Sequence, residues 1–200
     1  MSRLWRDEIH VTLGRGGVAE LSGLRRGARV TVVLSSHHAR YALLPWSANL
    51  AREEEWLAFA RFRLRDTYGA AAEGWEVRVS PGEPRASRVA CAVERQLLEE
   101  LRAVSGKAGV RLMSVQPSLM HAFNVHRSEF DREDGWLVSA EPERLTLALI
   151  ASRAWQLVRV RNAGTDWRDR LPMLLRREEA LIGREHPVGR VVLMEHAAAA

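Results

Sequence analysis

The sequence predicts a mixed α/β protein in which a β-β-β-α-β plan begins twice. Three observations carry this reading. Short runs rich in β-branched residues recur along the chain, stretches with apolar residues at helical spacing lie between them, and Gly- or Pro-containing turns separate the two. The closing run, three close-set strands followed by a helix and a strand, repeats the order expected at the opening.

The first predicted strand is Ile9 to Leu13, which meets the turn signal Gly14-Arg-Gly-Gly17 before Val18 to Leu21 resumes an apolar stretch. The expectation is a hairpin. Ala28 to Ser35 and Arg40 to Pro45 supply two further strands across the His37-His38 break. A helix follows, with Ser47 or Asn49 as cap and Glu53, Glu54 and Glu55 at the positive end of its dipole. Leu57, Ala60, Leu64 and Tyr68 share one face of it, and Gly69 ends it. Trp75 to Ser80 and Arg88 to Val93 form a pair of strands around the turn Pro81-Gly-Glu-Pro84. From Glu94 to Val104 a second helix turns Leu97, Leu98, Leu101 and Val104 inward. Val110 to Val115 is a strand, and Pro117 opens a helix through His126. The charged run Arg127 to Gly135 is expected to be a linker. Beyond it, Trp136 to Ala140, Arg144 to Ala151 and Trp155 to Arg161 form consecutive strands. Asp166 caps a helix carrying Trp167, Leu171, Leu174, Leu175 and Leu181, and Arg190 to Met194 is the final strand.

Composition narrows the function classes. With 46% hydrophobic and 28% charged residues, the chain has the profile of a folded globular protein. The N-terminus lacks the apolar core of a signal peptide and no apolar run spans a bilayer, so a cytoplasmic location without a membrane span is expected. Cys91 is the single cysteine, set in an apolar strand where burial is its ordinary role, and it excludes an internal disulfide. A net charge of +5 invites a nucleic-acid reading. The charge is nearly all arginine, spread among almost as many acids and interleaved with apolar residues, and no nucleic-acid partner is predicted.

No motif carries chemistry. Gly14-Arg-Gly-Gly17 lacks a following Walker lysine, and the adjacent His37 and His38 point to opposite faces of a strand. His121 and His126, five residues apart, do not share a helix face as a ligand pair would. Asp131, Glu133 and Asp134 fall in the linker-like run, and no nucleophile elbow or Ser/His/Asp arrangement is present. The expectation is therefore no catalytic residue, no bound metal and no cofactor.

In this order the elements resemble the actin-like assembly proteins of type IV pilus and type II secretion systems, the PilM and GspL group. The resemblance rests on Arg40-Tyr-Ala-Leu-Leu-Pro45, the acidic-capped helix ending at Tyr68-Gly69, Val89-Ala-Cys-Ala-Val93 leading to Leu97 to Leu101, and Gly109 to Pro117. It covers about half the chain. It implies an actin-like, ribonuclease H-like fold with duplicated ββαβ-type halves and an inserted small subdomain. Residues 1–127 would form the first half, with the insertion at about 40–93, and residues 128–200 a shortened second half. The family's nucleotide sites use an aspartate and a glycine at each of two β-hairpins. Here Thr12 stands where the first aspartate belongs, with Gly14 as the glycine, and the second hairpin reads Ser139-Ala-Glu141. A Thr or Ser cannot supply the carboxylate that organises hydrated Mg²⁺.

The resemblance thus implies a non-catalytic pseudo-ATPase scaffold, peripheral at the inner membrane. It would hold a membrane-anchored partner in a groove between core and insertion, with Arg40, Tyr41 and Trp46 as partner-binding residues and a homodimer as a further expectation. The rivals are a working actin-like ATPase and a ribonuclease H-like nucleic-acid binder. The latter needs carboxylates on the first strand, and Ile9 to Leu13 carries none.

Overall fold

The computed structural model describes residues 8–14, 21 and 23–196. Among these residues ten strands lie in three sheets. β1 (Glu8–Leu13), β2 (Arg29–Leu34) and β6 (Arg111–Pro117) form the first, in the order β1-β2-β6 with both pairings parallel. The predicted return strand Val18 to Leu21 falls almost wholly outside the described residues. β1 pairs in parallel with β2, a partner that turn chemistry at Gly14 does not specify. Of the strand-forming residues, Val30, Val32, Val33 and Leu34 are buried, as expected for a central parallel strand.

Between β2 and β6 the chain builds a second, antiparallel sheet. β3 (Ala39–Leu44), β4 (Trp75–Val79) and β5 (Arg88–Glu94) take the order β3-β5-β4. The period-2 rule divides β5 cleanly. Ala90 and Ala92 face helix α1 (Glu53–Tyr68), packing with Trp56, Ala60, Leu64, Leu44 and Val77. On the opposite face, Cys91 and Val93 join Leu101, Leu13 and Val32 in the core under the first sheet. Burial pushes the Cys91 thiol up to about 12, consistent with a packing role.

The start of α1 differs from expectation. Arg52 is the N-cap, and the Glu55 carboxylate accepts the backbone N–H groups of Ala51 and Arg52 at 2.8 and 2.9 Å. Ser47 is used one turn earlier, where its hydroxyl accepts the N–H of Asn49. Tyr68, expected on the buried face, is 40% exposed, while Trp56 supplies the largest buried side chain of the helix.

α2 (Arg95–Ala108) runs through Gly106 and ends at Gly109, whose φ of +68° is the left-handed cap glycine tolerates. Leu101 is fully buried, with Leu97, Leu98 and Val104 packed beside it, as the helical stripe predicts. α3 (Ser118–Phe130) continues past His126 into the expected linker. Phe130 explains why: it is buried against Leu137, Ile150 and Trp155, so apolar anchoring prevails over the charge of its neighbours.

The third sheet has the order β10-β7-β8-β9. β7 (Gly135–Glu141), β8 (Arg144–Ala151) and β9 (Ala154–Asn162) are an antiparallel meander, and β10 (Val191–Glu195) returns parallel to β7 after α4 (Trp167–Leu181). This is the β-β-β-α-β plan. Ser152 and Arg153 connect β8 and β9 with φ of 52° and 61°, the positive values a two-residue hairpin of type I′ requires. β7 is buried throughout because α3 covers one face and α4 the other. α4 also buries two acids. Glu179 accepts the Trp136 indole N–H at 3.0 Å, and Glu178 takes the Arg161 guanidinium at 2.6 Å. Leu181, expected inside, is 65% exposed.

Candidate partner-binding grooves and the polar junction

The first and third sheets are tied together at Glu141, the last residue of β7. Its buried carboxylate accepts the Ser36 backbone N–H at 3.0 Å and the hydroxyls of Ser35 and Ser118. Ser35 and Ser36 follow β2, and Ser118 opens α3, so one side chain joins the first sheet, the positive end of α3 and the third sheet. Arg144, across the β7–β8 turn, donates to the Ser36 carbonyl at 3.2 Å. Nearby, Ser139 Oγ and His196 Nε2 share a hydrogen bond of 3.0 Å. The His121 ring lies between His10 and His196, at centroid distances of 5.2 and 6.5 Å. Burial, then the neighbouring imidazoles, lowers the His121 pKa. Burial also lowers that of His196, with Glu141 acting against it.

This junction includes the second hairpin at which a nucleotide's metal and phosphates would be organised in an actin-like ATPase. The residues do not fit that task. Glu141 does provide a carboxylate, but three protein donors already occupy it, and Ser139 is fully buried. Among the described residues no group of three or more His, Cys, Asp or Glu is placed to hold a metal. Of the hairpin predicted at the opening, Gly14 is described and its carbonyl contacts His38 Nε2 at 2.8 Å, while residues 15–20 lie outside the described residues.

Two grooves flank the inserted sheet. One, about 400 Å³, lies between its inner face and β6; Val89, Cys91, Leu98, Leu112, Met113 and Met120 give it an apolar lining. Among the described strands β6 pairs only with β2, and its other edge borders this groove. A bulge at Met113 breaks the register with β2 and leaves this side chain 45% exposed. The other groove, about 740 Å³, runs between β3, the end of α1 and β9.

The predicted trio divides. Arg40 and Tyr41 line the β3–β9 groove; Trp46 is 44% exposed but belongs to neither lining. Arg40 donates to the carbonyls of His37 and Ala39 at 2.9 and 3.0 Å. The Tyr41 ring packs into two core clusters. Its hydroxyl is buried near Ser118 and Leu119 without a well-formed hydrogen bond, and burial, then Cys91, pushes the phenol well above its usual range. Sequence reasoning missed Arg63, Arg144 and Arg159 in the same groove, because α1, β8 and β9 are brought beside β3 only by the fold.

Together the sheets define an actin-like fold, and solved structures make this specific. No protein-family model matches the chain, and no curated protein matches its sequence significantly. The chain is similar in structure to the PilM–PilN type IV pilus biogenesis complex, with a TM-score of 0.63 over 92% of this chain and 70% of that one. It is similar to the cytoplasmic domain of EpsL, an inner membrane component of the Vibrio cholerae type II secretion system, with a TM-score of 0.54 over 90% of this chain and 72% of that one. A Bacteroides thetaiotaomicron protein of actin-like ATPase fold and unknown function gives a TM-score of 0.52 over 86% of this chain and 61% of that one. Identity is 13% in each case, so what is shared is the fold. Among the described residues no helix is long and apolar enough to cross a membrane.

Proposed function

We propose that the chain is a non-catalytic actin-like scaffold at the cytoplasmic face of the inner membrane, holding a segment of a membrane-anchored partner in a pilus or secretion assembly platform. The observation that carries this reading is the apolar groove beside β6. An outer strand offers backbone donors and acceptors to an extended segment, and the adjoining wall of Leu112, Met113, Val89 and Leu98 accepts its apolar side chains. The fold neighbours support the setting, since one is a PilM–PilN complex and another an inner membrane secretion component. The engaged Glu141 carboxylate supports the absence of catalysis.

The test is binding of peptides copied from the cytoplasmic termini of membrane-anchored assembly proteins from the same organism. Met113→Arg, at an exposed position, is expected to weaken binding by about 30-fold or more, the effect of losing an anchoring contact. Arg40→Ala and Trp46→Ala are expected to change it less. A large loss in those two variants, with Met113→Arg unaffected, would move the seat to the Arg40–Tyr41–Trp46 side. No binding by the wild type to any such peptide would end the scaffold reading.

A further inference from the structure

We propose that the groove between β3 and β9 is a second docking site, specific for an acidic segment of a partner protein. Its lining contains Arg40, Arg63, Arg144 and Arg159 and no Asp or Glu. The chain as a whole carries 30 basic and 25 acidic residues, so this segregation is local. The apolar groove on the other side, by contrast, mixes Glu76 with Arg78 and Arg102.

Two of the four, Arg40 and Arg144, are fixed by neutral groups. Arg40 and Arg144 donate to the backbone carbonyls of His37, Ala39 and Ser36, which hold a guanidinium in place and leave its charge. The carboxylate nearest Arg159 is Glu178 at 3.9 Å, already held by Arg161 at 2.6 Å. Arg63, on the exposed face of α1, makes no ion pair among the described residues. Donors positioned in this way bind carboxylates with little further loss of side-chain entropy.

A polypeptide fits this geometry better than a nucleic acid. Among the described strands both long walls are outer ones, β3 pairing with β5 and β9 with β8, so their outer edges can meet an extended backbone. The lining offers no run of stacking faces for successive bases, since Tyr41 is packed into the core and leaves Tyr68, set against Trp75 at 5.1 Å, as the one exposed ring. This site does not depend on what occupies the apolar groove.

The experiment uses a short labelled peptide of alternating Glu and Val, its Lys/Val counterpart, an oligo-dT strand and phosphatidylglycerol vesicles, each titrated with the whole chain. The Glu/Val peptide is expected to bind and the Lys/Val peptide not. Its affinity should fall between about 50 and about 200 mM salt. Arg63→Glu should weaken it about tenfold or more. Arg159→Gln should weaken it in the same direction. Arg132→Glu, an exposed change of the same charge elsewhere, should alter it less than about twofold. Equal loss in Arg132→Glu, or no binding by the wild type, would overturn the proposal, because attraction would then be diffuse or absent. It would also be overturned by tighter binding of oligo-dT or vesicles that Arg63→Glu abolishes, since the groove would then serve phosphates.

Discussion

Two regions of the molecule treat charge in opposite ways. At the junction of β2, α3 and β7, the Glu141 carboxylate is buried and accepts from Ser35, Ser36 and Ser118. At the groove between β3 and β9, Arg40 and Arg144 are held by neutral carbonyls and line its wall. A carboxylate at a β-hairpin of an actin-like fold suggests chemistry by its type and position. Whether its lone pairs are free decides whether it can do any. The same criterion, applied to donors, marks the arginine-lined groove as a place where a ligand would complete what the protein leaves open.

Breaking the junction should give the largest effect. Glu141→Ala strands the Ser36 N–H and two buried hydroxyls, and we expect a loss of about 3 kcal/mol or more in urea-induced unfolding. Glu141→Gln keeps the shape and one acceptor and should lose less. Arg63→Glu, in the groove, should stay within about 0.5 kcal/mol of wild type. Equal stability losses at the two sites would erase the distinction.

Much of this fold was legible in the sequence, and the exceptions share a cause. Alternation and helical spacing located strands and helices from local signals, so β2, β5, β8 and the Leu101 face of α2 stand where expected. What local signals do not encode is pairing across long separations. The parallel β1–β2 contact and the approach of β9 to β3 both depend on it. The Arg127 to Gly135 run misled for a related reason, since its charge is visible in sequence and the pocket that receives Phe130 is not. Of the predicted site, Arg40 and Tyr41 reached a groove wall because they lie on an outer strand, while Trp46 lies beyond the end of that strand.

Acid provides a smaller and sharper probe of the junction. His121 and His196 have lowered pKa values in the folded chain, caused first by burial. The unfolded chain takes up their protons below about pH 6.5, before the folded one does. Between about pH 8 and about pH 5, the histidine contribution should therefore be level at the upper end and fall as pH drops through about 6.5, with His121→Gln reducing the fall. Thermal melts across this range provide the check. A rise in melting temperature on acidification would mean that the imidazolium gains a carboxylate partner, which requires Glu141 to be less fully engaged than its bonds indicate.

The smallest expected effect is none at all, and it tests the comparison at its root. A ligand that binds only the folded state stabilises it by RT ln(1 + [L]/Kd), about 2.7 kcal/mol at a hundredfold excess. For a chain of this length that corresponds to about 5 to 10 °C in melting temperature. Millimolar ATP with Mg²⁺ should produce no such shift. The reason is electrostatic rather than steric: organising the hydrated cation requires a carboxylate with free lone pairs, and Glu141 is bound by Ser35, Ser36 and Ser118 at the start of α3. Releasing it would expose those donors at a cost comparable to the loss predicted for Glu141→Ala, so weak binding could not drive the exchange. A clear rise in melting temperature that disappears without Mg²⁺ would show that the junction opens for nucleotide. It would then be a site, and the contrast with the arginine-lined groove would fail.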